Sequence, residues 1–439
     1  MLQEDEDLEF NNDVETKLDV INSSRVTYNM VLLLLGRLVS LFGSQIYNFA
    51  IGLYVLQKTG SSAAFSMTLV FGMLPRILFG PLAGVISDRV DRKKIVVLSD
   101  ILSGAIVLAL AALATADELR VSYIYAANFL LNTCNTFFDI PMNASIPNIV
   151  DDKNLNRANS LNQTVSAMAQ IGGPFLGGIV FALVDMRLFL IINATSFILS
   201  GISEMFIDFN LNNTDKQEEK ESKEKKLSVG IIKEFKEVFK FLKTRELLII
   251  IFGFSLFLNF FVAFGVTVPF PYIINNVIKL IPEKYGILEA MFPLGMMIGS
   301  IIMSIFKEKD KKYKSFIGSI LLVSMATALM SLPVMPMFMN LNKNIYFVYY
   351  MISLIISGAA VIYANIPIQL VIQRETPDSM RGRIFALLET TSISIFPLGL
   401  ILSGLLLERI PVYILPLLSG AVMIFITLAM GLNKEIRKI

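Results

Sequence analysis

The stretch GPLAGVISDRVDRKKIVVLSD, residues Gly80–Asp100, changes from apolar to charged and back within a few positions. It places two acids and four bases in one short connection and continues at once into another apolar run. A helix that crosses a bilayer needs about 20 mostly apolar residues. The stretch therefore predicts a turn at a membrane surface between two membrane-spanning helices.

The composition indicates a membrane protein rather than a soluble domain. Of the 439 residues, 54% are hydrophobic and 17% are charged, whereas soluble domains carry about 25% charged residues. The net charge of +2 shows no basic excess for binding nucleic acid. Histidine is absent and Cys134 is the one cysteine, so we expect no internal disulfide, no metal centre and no cofactor.

Twelve apolar segments predict an all-α polytopic membrane protein with twelve transmembrane helices in two six-helix halves. We place the spans at 30–57, 62–87, 94–115, 121–147, 157–184, 187–208, 246–276, 284–306, 314–334, 344–372, 381–407 and 411–432. The predicted divisions are an acidic cytosolic tail at 1–28, an N-terminal half at 29–209, a cytosolic linker at 210–245, a C-terminal half at 246–433 and a cytosolic tail at 434–439.

Two polar segments lie outside these spans. The N-terminal tail lacks the basic start and apolar core of a signal peptide, and we expect it to be disordered or to order only on demand. The linker becomes amphipathic in its second part, which predicts a helix on the membrane surface. The apolar face of that helix consists of Ile231, Ile232, Phe235, Val238, Phe239 and Leu242.

The distribution of basic residues predicts the orientation. Most of the 38 Lys and Arg residues lie in the two tails, the linker and every second loop. Cytoplasmic segments carry such an excess of Lys and Arg. We therefore expect a plasma-membrane protein with both termini, and the turn at Gly80–Asp100, on the cytoplasmic side.

Polar residues recur at helical spacing inside several spans. Polar groups are costly in lipid, so they face protein or water. Hydrogen bonds between helices, worth about 0.6 kcal/mol each, would account for single residues, whereas the whole set predicts a shared water-filled cavity. The candidates for lining it are Ser40, Ser44, Gln45, Asn48, Asn128, Asn132, Asn135, Gln163, Ser166, Asn365 and Gln369.

Ionisable residues inside the spans are candidates for proton coupling. Asp139, Glu389 and Arg76 lie deep in spans 4, 11 and 2, where a charge is costly unless it is paired or hydrated. The alternative is a static buried ion pair. Three further ionisable residues lie nearer an interface, and we expect their side chains to reach the headgroups: Arg37, Glu289 and Glu204.

The stretch GGPFLGG in span 5 combines small residues with a proline. Small residues let helices approach closely in a membrane, and proline permits a kink. We predict a helix-packing role for Gly173, Pro174, Gly177 and Gly178. Span 11 carries Pro397 at the corresponding position, which indicates a duplicated six-helix unit.

The opening stretch resembles the signature loop between spans 2 and 3 of the major facilitator superfamily. The matching residues are Gly84, Asp88, Arg89, Arg92, Lys93 and Lys94. Asp91 stands where that loop has a second glycine, a form similar to the macrolide-efflux-like branch. GPFLGG resembles the span-5 motif of drug:proton antiporters, with Ala169 in place of an upstream glycine, and PDSMRGRIFAL (Pro377–Leu387) is also similar to that branch.

The resemblance covers residues 28–432 and implies two halves that rock about a central site. It implies secondary active export of an amphipathic, drug-like compound of macrolide or multidrug type, by proton antiport. Span 4 lacks the Arg of a motif seen in other drug:proton antiporters, so Asp139 or Arg76 would have to serve. The expected partners are a small-molecule substrate, protons and the lipid bilayer, with no nucleic acid, and the chain is expected to act as a monomer.

The acids of the opening stretch predict a gate. Asp88 ends span 2 where it could meet the N-terminus of span 11, which favours an anion. Such a latch would hold an outward-open state and break as the inner gate opens. Asp91 is expected to pair with Arg92 or Lys94. The predicted gating residues are Gly84, Asp88, Arg89, Arg92, Arg381 and Arg383.

Other functions stay open at this stage. The same fold could export a siderophore, a lipid or another metabolite, or import its substrate. The chain could also be a membrane sensor or assembly partner, although the polar stripes argue against a protein that transports nothing. An enzyme is disfavoured because the sequence has no histidine, no nucleotide-binding GxxxxGK loop and no soluble catalytic domain.

Overall fold

The computed structural model describes residues 2–114, 119–209, 211, 240–305, 313–338 and 341–438. Side chains are described from residue 25 onward, except at 152–153, 378–379, 381–382, 386 and 438. Within these ranges the chain forms long helices and contains no strand.

Twelve long helices follow one another along the described residues. The N-terminal half contains α1 (Leu2–Thr59), α2 (Ser62–Arg89), α3 (Arg92–Leu113), α4 (Val121–Ile149), α5 (Asp152–Leu183) and α6 (Met186–Glu204). The C-terminal half contains α7 (Glu246–Val262), α8 (Pro282–Ile305), α9 (Tyr313–Leu329), α10 (Lys343–Glu375), α11 in two segments (Asp378–Ser394 and Phe396–Leu407) and α12 (Ile414–Gly431).

These helices coincide with the twelve predicted spans and confirm the all-α polytopic fold class. Eleven of the described helices are long and apolar enough to cross a membrane. The helix outside this group is α4, which carries the asparagines and Asp139 of the predicted polar stripe. Polar residues lower the mean hydropathy of a helix, so this predicted stripe weakens the membrane signal of α4.

The N-terminal helix is longer than the sequence predicts. Helix α1 begins at Leu2 and includes the segment predicted as a separate tail. No Gly or Pro occurs between Leu2 and Leu35, so nothing in this segment ends a helix. The acids near Leu2 also favour a helix N-terminus.

The predicted amphipathic helix of the linker falls mostly on residues 212–239, which lie outside the described residues. Leu242 of its apolar face is described and is buried. It packs with Leu248 and Ile372 in the core of the C-terminal half. The end of the linker is therefore anchored to that half.

Each half has its own apolar core, and further clusters join the halves. Tyr47 and Phe197 are fully buried in the N-terminal core, and Phe316 is fully buried in the C-terminal one. Leu53 of α1 belongs to a cluster with Tyr350 of α10, which connects the halves. This contact lies toward the end of α1 that the sequence predicts to face outside.

Two helices of the C-terminal half are irregular. Helix α7 continues beyond Val262 as π-helical turns at Ala263–Thr267 and Ile273–Val277, on either side of a short α-helix at Pro269–Tyr272. Prolines in this stretch remove backbone donors and prevent a regular α-helix. Helix α11 breaks at Ile395, just before Pro397, whereas α5 continues through Pro174.

Candidate functional site

The two halves meet closely where α5 crosses α8. A Cβ atom added to Gly178 would lie 2.7 Å from the carbonyl oxygen of Pro282, and one added to Gly286 would lie 2.5 Å from that of Pro174. Backbone contact of this kind needs glycine on both helices. Gly178 and Pro174 of the GGPFLGG stretch therefore take part in the contact between the halves.

The other two residues predicted to pack helices, Gly173 and Gly177, make contacts within the N-terminal half. Gly173 lies against Gln45 of α1, and a Cβ atom added to Gly177 would lie 2.9 Å from the ring of Phe49. Gln45, a predicted cavity residue, is half-buried under α5 as a result. The stretch thus places α5 between α1 of its own half and α8 of the other half.

A second crossing joins α2 to α11. The Ser62 hydroxyl donates a hydrogen bond of 2.8 Å to the carbonyl oxygen of Gly404. The Ser61 hydroxyl donates to the Glu408 carboxylate, and the backbone N–H of Ala63 donates to the same carboxylate at 3.3 Å. Helix α2 occupies the position in the N-terminal half that α8 occupies in the C-terminal half, and α11 likewise corresponds to α5. The two crossings are therefore equivalent, as expected for a duplicated unit.

Further contacts close the same end of the molecule. The ring of Phe49 stacks on Tyr285 of α8 with centroids 5.0 Å apart. The Asn276 amide donates to the carbonyl oxygen of Gly60 at 3.4 Å. This bond and those of Ser61, Ser62 and Ala63 join the two halves at the predicted outer end.

At the opposite end, the basic loop between α2 and α3 is tied to its own half. Arg92 pairs with Asp88 at 3.2 Å and donates to the carbonyl oxygen of Ala144 on α4 at 2.7 Å. Lys93 donates to the carbonyl oxygen of Ile207 at 2.9 Å. These bonds join the loop to α4 and to the segment after α6.

The sequence predicts that Asp91 pairs with Arg92 or Lys94, but in the structure Asp91 caps a helix instead. Its carboxylate caps α3 by accepting a hydrogen bond of 2.9 Å from the backbone N–H of Lys93. Aspartate is among the preferred residues at this position because it satisfies a free N–H group of the first turn. Arg89 is exposed, and a Cβ atom on Gly84 would meet open space.

The predicted contact between Asp88 and α11 is not among those formed by the side chains that the structure describes. Asp88 pairs with Arg92 instead, and its side chain is 59% exposed. Arg383 is exposed, and the side chain of Arg381 lies outside the described residues. The halves thus meet at the outer end, and at the inner end Asp88 stays within its own half.

The predicted cavity and coupling residues fall into three groups by exposure. The exposed group contains Asn48, Arg76, Gln163, Asn365, Gln369 and Glu389. The half-buried group contains Ser44, Gln45, Asn132, Asn135, Asp139 and Ser166. The buried group contains Ser40 and Asn128.

Asn128 has a packing role rather than a place on a cavity wall. Its side-chain oxygen accepts a hydrogen bond of 2.9 Å from Tyr47 of α1, and its amide donates to the carbonyl oxygen of Thr68 on α2 at 3.3 Å. It therefore joins three helices. Asn132 and Ser166 donate to carbonyl oxygens of their own helices at 2.9 and 3.0 Å.

Asp139 faces a buried cation. Nη2 of Arg37 lies 3.9 Å from its Oδ1, and Arg76 of α2 acts on the same carboxyl group electrostatically. Arg37 is only 5% exposed, so its side chain does not extend to the headgroups as the sequence suggested. The Arg37–Asp139 pair joins α1 to α4 inside the N-terminal half.

Two further acids lie behind this pair. Asp100 of α3 is 1% exposed and Glu204 of α6 is 0% exposed. Ser40 of α1 donates to Asp100 at 3.2 Å, and Ser200 of α6 donates to Glu204 at 3.4 Å. Glu204 is therefore buried and does not extend to the headgroups as the sequence suggested. Ser40, a predicted cavity residue, is hydrogen-bonded to Asp100 instead.

The sequence reasoning missed Asp100 and misplaced Glu204. Asp100 lies inside predicted span 3, and an acid in a span is a signal in itself. Its place shortly after the charged turn of residues 88–94 obscured that signal. Glu204 lies near the end of span 6, where only the packing of α1 and α3 shows that it is buried.

The chain is similar to known efflux proteins along most of its length. Macrolide efflux protein A of Streptococcus pyogenes is 26% identical over 405 residues, which cover 92% of this chain and 95% of that protein. The multidrug efflux pump Tap of Mycolicibacterium fortuitum is 23% identical over 390 residues, which cover 85% of this chain and 88% of that protein.

The fold is also that of solved transporters. A bacterial homologue of the iron transporter ferroportin, in an inward-facing state, aligns with a TM-score of 0.70 over 92% of this chain and 99% of that chain, at 14% identity. The family model described as Major Facilitator Superfamily matches residues 33–392. This chain belongs to the major facilitator superfamily of multi-pass membrane transporters.

Proposed function

We propose that the chain exports an amphipathic, drug-like compound in exchange for protons, through alternating access of a cavity between its halves. The observation that carries this proposal is the exposure of Arg76 and Glu389 deep within α2 and α11. A charged side chain facing lipid at such depth costs several kcal/mol. A water-filled cavity accounts for both residues at once.

Four of the predicted cavity residues are also exposed, and they extend this cavity over both halves. Asn48 and Gln163 come from α1 and α5, and Asn365 and Gln369 come from α10. A few polar groups among apolar walls suit a ligand that is mostly apolar with some polar atoms. An amphipathic compound is therefore the favoured substrate class.

Asp139 is the proposed coupling residue at the cavity wall. Its side chain is 30% exposed and lies 3.9 Å from the buried guanidinium of Arg37. Protonation would cancel its attraction for Arg37, and deprotonation would restore it. The charge of the wall would then depend on whether a proton or a substrate occupies the cavity.

We interpret the arrangement of the halves as a state that is closed outside and open inside, because the described contacts between them lie at the predicted outer end. The outer ends are joined through Ser62 and Gly404 and through Gly178 and Gly286. In the opposite state we propose that Asp88 leaves Arg92 and meets α11. Both termini would lie in the cytoplasm, which reporter fusions at each terminus can test.

The relatives support this direction of transport. Two of them are named as macrolide and multidrug efflux proteins, and each aligns with more than four-fifths of this chain. Those names describe the relatives, and efflux by this chain remains our proposal.

The test is proton-driven uptake of a macrolide into inverted membrane vesicles. We expect Asp139→Asn to reduce uptake to the level of vesicles without the protein and to leave macrolide binding unchanged. Glu289→Gln removes a carboxyl group from α8 and is the matched control, for which we expect normal uptake. Normal uptake by Asp139→Asn would remove this residue from the mechanism.

The substrate class can be tested separately from coupling. A ligand that binds only the folded protein raises its unfolding temperature in a concentration-dependent way. We expect macrolides and other amphipathic drugs to stabilise the purified protein. Stabilisation by a siderophore, a lipid or a small metabolite alone would assign a different substrate to the same fold.

A further inference from the structure

We propose that Asp100 and Glu204 form a buried carboxyl pair that binds one proton and exchanges it with Asp139. The inference rests on the proposed proton exchange and adds to it a proton site behind the cavity wall. The site is built by α1, α3 and α6, and Asp139 of α4 connects it to the cavity.

Each carboxyl group of the pair is enclosed and incompletely bonded. Ser40 donates to Oδ1 of Asp100 and Ser200 donates to Oε1 of Glu204. The second oxygen of each group, Oδ2 and Oε2, is buried without a hydrogen-bond partner. An ionised carboxylate in such a place lacks the donors that would replace its lost hydration.

The two groups are close enough to repel each other when both are ionised. Gly201 of α6 packs against α3, and a Cβ atom added there would lie 3.3 Å from Cβ of Asp100. The carboxyl groups of Asp100 and Glu204 interact electrostatically. Two carboxylates that share a dry site do not both remain ionised, so one of them binds a proton.

The charges around the pair do not compensate two ionised carboxyl groups. Arg37 of α1 is the one buried Lys or Arg among the described residues, and it faces Asp139. Arg76 of α2 also acts on Asp139. Cys134 of α4 lies near Asp100 and contributes no positive charge. The pair therefore has no cation of its own in this arrangement.

We propose that Arg37 turns to the pair when Asp139 is protonated. Its neighbour Gly36 packs on the Ser200–Glu204 turn, where a Cβ atom added to the glycine would lie 3.6 Å from Oε1 of Glu204. The Nε and Nη1 atoms of Arg37 are buried without hydrogen-bond partners. Both the guanidinium of Arg37 and the Asp100–Glu204 pair thus have buried polar atoms without hydrogen-bond partners.

The exchange requires one proton and one change of partner. An O–H bond breaks at the Asp100–Glu204 pair and an O–H bond forms at Asp139, with no electron transferred. Neutral Asp139 no longer holds Arg37, which turns to the pair, now ionised at both carboxyl groups, and offsets one of its two negative charges. Asp139, which is 30% exposed, then passes the proton to water in the cavity.

Infrared difference spectroscopy of the purified full-length protein tests the protonated state directly. We expect a C=O stretching component of a protonated carboxylic acid that shifts in D2O and is lost in both Asp100→Asn and Glu204→Gln. Either change removes the repulsion, so the remaining carboxyl group ionises against Arg37. Glu289→Gln is the matched control and should retain this component.

Proton release on binding a macrolide in weakly buffered solution tests the exchange. We expect release by the wild type, its loss in Asp100→Asn and Glu204→Gln, and its retention in Asp100→Glu and Glu204→Asp, which keep a carboxyl group. If the amide variants fail to fold, the two conservative variants must still shift the frequency of the infrared component. An unchanged frequency overturns the proposal.

The outcomes separate this inference from the proposed function. If the component is absent from the wild type or survives in both amide variants, the pair binds no proton and the inference is wrong. Macrolide-dependent proton flux in wild-type proteoliposomes would still support antiport in that case. If the component is present but the wild type shows no such flux, antiport fails, and the exchange with Asp139 fails with it.

Discussion

The two halves share one architecture but bury different polar groups. In the N-terminal half, α1, α3 and α6 enclose Arg37, Asp100 and Glu204. The corresponding helices of the C-terminal half enclose hydroxyl groups, such as Ser324 of α9 and Thr427 of α12. Among the described residues of the C-terminal half, no Asp, Glu, Lys or Arg is buried.

Two buried hydroxyl groups of the C-terminal half, on Ser324 and Thr427, are bonded locally. Ser324 donates to the carbonyl oxygen of Ile320 at 2.7 Å, and Thr427 donates to that of Met423 at 2.6 Å. Such bonds to the preceding turn satisfy the side chain without help from another helix. A six-helix unit of this fold can therefore be packed without buried charges.

The buried charges of the other half are thus unexplained by packing. They keep atoms without partners, including Nε of Arg37 and Oε2 of Glu204. A cluster of this kind is costly unless every member is satisfied. This difference between the halves fits the proposal that Asp139 of the N-terminal half couples transport to protons.

The largest effect is expected when the N-terminal cluster loses its cation. Arg37→Met leaves three carboxyl groups without the buried guanidinium, and breaking a buried charge pair costs about 3 kcal/mol or more. We expect a clear fall in the thermal unfolding temperature of the purified protein. Adding Asp139→Asn should recover part of the loss, because it removes the carboxylate that Arg37 faces.

The matched change in the C-terminal half is Ser324→Ala. It removes one hydrogen bond to the preceding turn of the same helix, which contributes no more than a bond between helices, about 0.6 kcal/mol. We expect nearly unchanged stability and normal transport. Equal losses of stability in Arg37→Met and Ser324→Ala would show that the two interiors are equivalent after all.

The fold could be predicted from the sequence because it depends on long apolar runs. The spans follow from hydropathy and length, and the crossings follow from small residues such as Gly178. The extension of α1 to Leu2 was missed because the acidic N-terminal segment was expected to be disordered or to order only on demand. The absence of Gly and Pro was the better guide there.

The site could be predicted only in part, since burial depends on how the helices are rotated. Asn128 lies on the predicted stripe of α4, but Tyr47 covers it and makes it a packing residue. Arg37 and Glu204 lie near span ends, where sequence position suggests exposure and the neighbouring helices decide otherwise. Asp139 was recognised because a mid-span acid is conspicuous without any neighbour.

The contacts between the halves give the next largest effect. A side chain on Gly286 would meet backbone atoms of Pro174 and Gly178, at 2.5 and 3.0 Å from its Cβ. Overpacking costs about 1–3 kcal/mol, so Gly286→Val should push the halves apart at the outer end. We expect transport to fall by about tenfold, since about 1.4 kcal/mol corresponds to a factor of ten.

The control for this change is a glycine of the same half without neighbours. A Cβ atom on Gly318 of α9 meets nothing within 4 Å, so Gly318→Val should transport normally. Spin-label distances across the outer end would show the separation directly. If Gly286→Val leaves these distances unchanged, the α5–α8 crossing does not close the outer end.

The smallest effect concerns the inner end, where Asp88 pairs with Arg92 of its own half. If Asp88 meets the N-terminus of α11 in the outward-open state, Asp88→Asn destabilises only that state. A charge at a helix N-terminus contributes about 0.3–1 kcal/mol, which corresponds to a population shift of about twofold to fivefold toward inward-open.

Asp91→Asn makes the same charge change in the same loop, and asparagine can still cap α3. We expect higher accessibility of single cysteines on the inner cavity wall in Asp88→Asn but not in Asp91→Asn. Equal accessibility in the two variants would contradict the latch and leave Asp88 as a partner of Arg92 alone.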